Sequence, residues 1–253
     1  MRAAVITGAS AGLGAEFARQ LVRRGYHLLL VARRQEKLEA LAAELTAQYP
    51  HALINVFAAD LSELEAPQAI FDEVNRLGLE VDYLINNAGS GGPNLLEDEW
   101  SEQQAYMQLM LTSATHLCHL FLPGMQERRM GRVINVASVA GRIIQPGDMH
   151  YGPMKAYLIA LSEGLHHLRK EGVHVSALCP GFTHTDFHLE PDLAAMKAST
   201  PGWVWYDADV VVREGLDAVD KGRAVCVSGR LYRWADPILR SRLARYFLQR
   251  SAR

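Results

Sequence analysis

Short apolar runs alternate with helical patterns along the chain, and no other feature restricts its fold as strongly. Apolar runs at 3–7, 27–32, 53–58, 81–86, 132–137, 173–179 and 224–227 read as strands. Between them, helical spacing covers 15–24, 36–48, 67–76, 102–125, 151–170 and 209–220. Phe17, Leu21 and Val22 share one helix face, and Gly25 ends that helix. Leu38, Leu41 and Leu45 recur at i, i+3 and i+7 in the next. Strands that are apolar throughout, rather than alternating, are buried on both faces. That is the habit of a parallel sheet covered by helices on each side. No linker rich in Pro, Gly or Ser divides the chain, and no internal repeat is visible. The expectation is one α/β domain with a doubly wound, mostly parallel, seven-stranded sheet. Ligands of such sheets bind beyond the carboxyl ends of the strands.

Composition narrows the function. Of 253 residues, 49% are apolar and 21% charged, with a formal net charge of −2. That balance suits a soluble globular protein and lacks the basic excess that nucleic-acid phosphates demand, so no nucleic-acid partner is expected. Cys118, Cys179 and Cys226 show no CxxC spacing, which suits a reducing, cytoplasmic setting. No run approaches the ~18 apolar residues of a membrane-spanning helix. Met1-Arg2 and the apolar residues after it faintly imitate a signal peptide, but the run breaks at Thr7-Gly8 and reads as a strand.

The first strand-to-helix junction is Thr7-Gly8-Ala9-Ser10-Ala11-Gly12-Leu13-Gly14. Its glycines follow G-x-x-x-G-x-G, not the G-x-G-x-x-G of the usual dinucleotide fingerprint. The physical task is the same: a sharp turn, close backbone approach, and a helix N-terminus aimed at phosphate. The second strand ends in Arg33-Arg34, with Arg33 19 residues beyond Gly14 and Glu36 the first acid. An NAD site wants a carboxylate there for the ribose hydroxyl. A guanidinium suits a 2′-phosphate instead, so the inferred cofactor is NADP(H). Two solvated arginines would read the same way. Asp60-Leu61 after the third strand either closes over an adenine ring or caps a helix. Asn86-Asn87-Ala88-Gly89 after the fourth likewise either closes over that ring or is a plain turn.

The fifth strand runs into Ser138, and Tyr151-x-x-x-Lys155 follows 13 residues later. The i, i+4 spacing puts phenol and ammonium on one helix face. A phenol of pKa ~10 is a poor base at neutral pH. A nearby ammonium favours phenolate and is expected to lower that pKa. Tyr151 then moves a proton to or from a substrate oxygen that Ser138 holds.

Taken together, Thr7 to Gly14, Asn86 to Gly89, Ser138, Tyr151-x-x-x-Lys155 and Pro180-Gly181 resemble the short-chain dehydrogenase/reductase family over roughly residues 1–230. The resemblance implies a Rossmann-like fold and an NADP(H)-dependent interconversion of a carbonyl and a secondary alcohol. It implies Ser138, Tyr151 and Lys155 as the catalytic triad, and Gly8, Ser10, Gly12, Leu13 and Gly14, with Ala11 between them, around the pyrophosphate. Arg33, beside Arg34, resembles the NADP-selecting position. Asp60 and Leu61 match adenine contacts, and Asn87, Ala88 and Gly89 the cofactor floor. Pro180, Gly181, Thr183 and Thr185 match the loop that holds the carboxamide. One position departs: the asparagine that the family places in the long fourth helix falls on Met110. A thioether is only a weak acceptor and cannot hold a relay water as an amide does. Thr112, Ser113 or a backbone carbonyl must serve instead, or turnover suffers. An NADP(H)-binding sensor with little turnover is therefore the second reading.

Residues 182–206 form a long stretch rich in aromatic and apolar residues, among them Phe187, Met196, Trp203, Trp205 and Tyr206. Such a stretch is expected to be a flap over an apolar or mid-sized carbonyl substrate, or an excursion packed on the body. His184, Asp186 and His188 alternate in a way that suits no closed zinc site, so no metal is expected. Residues 230–253 hold seven arginines and one acid, a net of +6, against −8 for the rest. Ile238, Leu239, Leu243, Phe247 and Leu248 are interleaved with those arginines. The division expected is a catalytic unit at 1–230 and a basic amphipathic helix at 231–253, which meets a membrane surface or a partner subunit. Family resemblance favours a homodimer or homotetramer through the helices at 102–125 and 151–170.

Overall fold

The computed structural model of the protein describes residues 1–143, 148–185 and 200–239. Strand β1 (Arg2–Thr7) leads to α1 (Gly12–Arg23), β2 (His27–Ala32), α2 (Gln35–Gln48), β3 (Ile54–Ala58), α3 (Ala66–Arg76) and β4 (Glu80–Asn86). The second half holds α4 (Trp100–Met107), α5 (Ser113–Arg128), β5 (Gly131–Val136), α6 (Tyr151–Leu168) and β6 (Val173–Cys179). Two-residue strands β7 (Thr183–His184) and β8 (Tyr206–Asp207) precede α7 (Ala208–Asp220), β9 (Val225–Val227) and α8 (Arg230–Leu239).

Seven strands form one sheet in the order β3-β2-β1-β4-β5-β6-β9, and every pairing is parallel. The Rossmann-like α/β fold expected from the strand–helix alternation is therefore present. Burial explains the unbroken apolar strands. Ala3 to Ile6 and Leu28 to Val31 are fully buried. On one face Phe17 and Leu21 of α1, Leu38 and Leu45 of α2, and Val212 and Leu216 of α7 pack on the sheet. On the other, Ile70 of α3 and Leu117, Phe121 and Met125 of α5 do so, with Leu158 and Ile159 of α6 beside them. Each such side chain contributes roughly 1.5–3 kcal/mol on leaving water.

The long helix expected over 102–125 is present, with one change of hydrogen-bond pattern inside it. A π-type turn, Gln108–Thr112, separates α4 from α5. Gln108–Thr112 contains no Gly or Pro to mark such a turn, so the sequence concealed it. β7 and β8 pair in parallel, Thr183 with Tyr206 and His184 with Asp207, and join the two ends of the 182–206 stretch. Asp186, Phe187, His188 and Met196 lie outside the described residues, as does the C-terminal segment from residue 240. Among the described residues, no helix is long and apolar enough to cross a membrane. None of their His, Cys, Asp and Glu side chains gather into a group of three or more able to hold a metal ion.

Candidate active site

The glycine turn after β1 is built by crowding. Gly8 has φ +64°, and a Cβ there would lie 2.8 Å from Asn87 Nδ2. A Cβ on Gly14 would lie 2.2 Å from the Gly8 carbonyl oxygen. The same asparagine locks the turn to β4. Asn87 Nδ2 donates to the carbonyls of Thr7 (2.9 Å) and Gly8 (3.2 Å). Thr7 Oγ1 accepts from the backbone N–H groups of Asn87 (3.0 Å) and Ala88 (3.1 Å). Ala11 precedes α1 in an extended conformation, no side chain caps the helix, and no acid lies in its first turn. The first N–H groups of α1 thus lack a side-chain cap, and with the positive end of the helix dipole they fit a pyrophosphate.

The arginines after β2 lie at the same edge. Arg34 Nη2 donates to Ser10 Oγ at 3.0 Å, which ties the basic pair to the glycine turn. Arg33 Nη1 stands 3.8 Å from Asp60 Oδ2. Asp60 Oδ1 accepts from the backbone N–H (2.9 Å) and hydroxyl (2.7 Å) of Ser62. Asp60 thus caps the turn ahead of α3, whose own N-cap is Glu65. Leu61 is buried in the core beneath it.

The reacting residues converge beyond β5. Ser138 caps a short 3₁₀ turn, Val139–Arg142, its Oγ accepting from Ala140 N at 3.1 Å. Tyr151 opens α6, and both Asp148 carboxylate oxygens accept from Gly152 N at 2.9 Å, which fixes the start of that helix. Lys155, one turn further, is 5% exposed. Its Nζ donates to the Val136 carbonyl at 2.8 Å and sits 5.5 Å from the centre of the Tyr151 ring. Burial lowers the Lys155 ammonium to about 8. Burial pushes the Tyr151 phenol up, Ser138 works against that, and Asp148 adds to the rise. The net direction for Tyr151 is thus upward, with desolvation of the phenol first among its causes.

Met110 lies in the π-type turn and is 2% exposed. A Cβ on Gly89 would lie 3.2 Å from Met110 Sδ and 3.7 Å from Lys155 Nζ. The thioether thus faces the same glycine as the ammonium. Beyond β6, the Pro180 carbonyl accepts from Val139 N at 2.9 Å, which joins the Ser138 turn to the 180–185 loop. Thr183 is buried, its hydroxyl turned onto the Gly181 carbonyl at 3.0 Å. Thr185 returns to the glycine turn, where a Cβ on Gly12 would lie 3.2 Å from its own Cβ. The described site residues from the glycine turn, the β2, β3 and β4 ends, Ser138, Tyr151, Lys155 and the 180–185 loop thus follow the carboxyl ends of the strands. Sequence reasoning missed Asp148, Arg142, Tyr232 and Asp236. Asp148 had a weak signal, an acid just before a helix start. The other three act across distant stretches of chain and carried none.

Residues 2–192 match the family described as short chain dehydrogenase. The chain belongs to that family, whose members are oxidoreductases that bind nicotinamide cofactors. It is 34% identical over 179 residues to a very-long-chain 3-oxoacyl-CoA reductase of Mycosarcoma maydis, covering 69% of this chain and 51% of that protein. The chain thus spans about half the length of that relative. It is 31% identical over 188 residues to the 3-oxoacyl-[acyl-carrier-protein] reductase FabG of Haemophilus influenzae, covering 72% of this chain and 74% of that one. Among solved structures, a short-chain dehydrogenase from Sphingobium yanoikuyae in complex with NADPH superposes with a TM-score of 0.81 at 28% identity, covering 100% of this chain and 97% of that chain. A short chain dehydrogenase/reductase from Burkholderia phymatum in complex with NAD gives the same score at 25% identity, covering 98% and 95%.

Proposed function

We propose that the protein is an NADP(H)-dependent oxidoreductase that interconverts a carbonyl and a secondary alcohol. The observation that carries this reading is the meeting of Ser138, Tyr151 and Lys155 with an uncapped glycine turn and two arginines at one sheet edge. The bound nicotinamide supplies or accepts the hydride. In the reducing direction, Tyr151 gives its phenolic proton to the carbonyl oxygen. A phenol held protonated by burial suits that role. Ser138 donates a hydrogen bond to the same oxygen, where negative charge develops. The Lys155 ammonium lies near enough to the Tyr151 ring to stabilise the phenolate left behind. Oxidation runs the same steps in reverse. Arg33 and Arg34 support the NADP(H) reading, because a 2′-phosphate suits a guanidinium pair.

An apolar or mid-sized carbonyl substrate is supported by the rings around the 180–206 region. Trp205 lies 5.1 Å from Phe182 and 5.3 Å from His184, centre to centre. Two relatives act, by name, on 3-oxoacyl groups, and such thioesters belong in the first substrate panel. The organisation proposed is a catalytic unit at 1–230 followed by the basic segment 231–253, in a homodimer or homotetramer, with membrane-surface contact by that segment and a cytoplasmic setting. The direct test follows NADPH absorbance over a panel of ketones, 3-oxoacyl thioesters and secondary alcohols, with Tyr151→Phe as control. Turnover that falls by about 10²–10⁴-fold in the variant supports the assignment. Equal rates in both proteins overturn it.

Met110 beside Gly89 and Lys155 favours one second reading, an NADP(H)-binding sensor with little turnover. Steady NADPH consumption with any carbonyl of the panel dismisses it.

A further inference from the structure

Two loops of the reacting centre are tied to a helix that lies beyond the family-matched residues 2–192. The first tie is ionic. Arg142 ends the 3₁₀ turn that Ser138 begins, and its Nε and Nη2 both donate to the Asp236 carboxylate of α8, the latter at 2.6 Å. The two side chains are only 8% and 16% exposed. A planar guanidinium held through two parallel bonds is fixed in orientation as well as distance. The turn between has little freedom, since a Cβ on Gly141 would lie 2.5 Å from the Lys155 carbonyl carbon.

The second tie is aromatic. The Tyr232 ring packs on Gly181 so closely that a Cβ there would lie 2.0 Å from Cε2. Its hydroxyl accepts from Phe182 N at 3.1 Å and donates to the Val204 carbonyl at 2.9 Å. Tyr206 Oη, in turn, accepts from Leu231 N at 3.1 Å. None of these groups has a part in the chemistry described above.

We propose that Tyr232 and Asp236 are positioning residues: α8 acts as a clasp, with Asp236 fixing the Ser138 turn through Arg142 and Tyr232 fixing the 180–185 loop. The proposal rests on the catalytic assignment of Ser138. The two ties act on different partners, so they have different kinetic signatures. Misplacing Ser138 weakens its bond to the developing oxyanion and lowers kcat. Loosening the 180–185 loop weakens cofactor binding and raises the cofactor KM.

The test uses the full chain with NADPH and a carbonyl that it turns over. Small displacements at a reacting centre are costly, so Asp236→Asn is expected to lower kcat by about 10-fold with the NADPH KM within about 2-fold. Asp236→Glu, which keeps the charge, recovers most of that loss. Tyr232→Phe removes a single oxygen and keeps the ring. It is expected to raise the NADPH KM by roughly 5-fold and leave kcat within about 2-fold. Circular dichroism and thermal melting report folding. Should Asp236→Asn fail to fold, the apolar pair Arg142→Met/Asp236→Leu replaces it, with the same loss of kcat expected in a folded protein. Unchanged constants in folded variants overturn the clasp, as do losses that track the folded fraction with no split between kcat and KM. Ser138→Ala keeps the two claims separate. If it is active, the catalytic assignment fails. If it is inactive while the α8 variants match wild type, only the clasp fails.

Discussion

The two edges of the sheet treat charge in opposite ways. At the amino edge, Arg2, Arg24, Tyr26, Asp82, Tyr83, Met130, Arg132 and Asp220 surround one cleft. There Arg2 Nε meets Asp82 at 2.5 Å, and Asp220 accepts from Arg24 (2.9 Å), Arg132 (3.3 Å) and the Tyr83 hydroxyl. Burial and that carboxylate push the Tyr83 phenol far up, so it stays protonated. At the carboxyl edge, α1 begins without an acid and Lys155 is paired with a carbonyl instead of a carboxylate. Charge that is satisfied internally stabilises the fold. Charge and N–H groups left uncompensated are kept for a ligand. Among the described residues, two pairs depart from this at the carboxyl edge: the exposed Arg33–Asp60 pair, and the buried Arg142–Asp236 pair assigned there to holding a loop.

Substitutions at the two edges should therefore separate activity from stability. At the carboxyl edge, cofactor choice is read at Arg33. Arg33→Asp replaces a phosphate partner with a hydroxyl partner and should swing the NADPH/NADH preference by about 10–100-fold in kcat/KM; an unchanged ratio refutes that assignment. At the opposite edge, Asp220→Ala should cost about 1–2 kcal/mol in urea unfolding and leave kcat/KM alone. Lys155 works with the reverse sign. Its pKa is lowered from 10.5 to about 8 by folding. The folded protein binds this proton more weakly than the unfolded chain, so stability rises with pH between those two values. Lys155→Met should then stabilise the fold by about 1–3 kcal/mol at pH 7 while abolishing turnover. That gain should vanish as pH rises through the window. The smallest effect is expected at Met110, where Met110→Asn should raise kcat by about 3-fold and alter its pH profile. A rate unchanged at every pH would remove that position from proton transfer.

These expectations draw on a site that was largely readable before any coordinates. The strands were legible because unbroken apolar runs leave few alternatives. The glycine turn was legible from its place between a strand and a helix, although its spacing departs from the usual fingerprint. Tyr151 and Lys155 were legible because four residues make one helical turn. What stayed hidden needed three dimensions. Strands β7 and β8 are too short to show a period. Arg142 and Asp236 stand 94 residues apart, and no local pattern links them. The upward shift of Tyr151 depends on how deeply α6 buries its first residue, which composition does not reveal.

The central claim is that the carboxyl edge binds the dinucleotide with one set of groups and does chemistry with another. It is tested most directly by measuring NADPH affinity and turnover in one preparation of Tyr151→Phe. The expected result is an NADPH Kd within about 3-fold of wild type together with a kcat at least about 100-fold lower. Retained turnover, or NADPH binding lost along with it, would contradict the account.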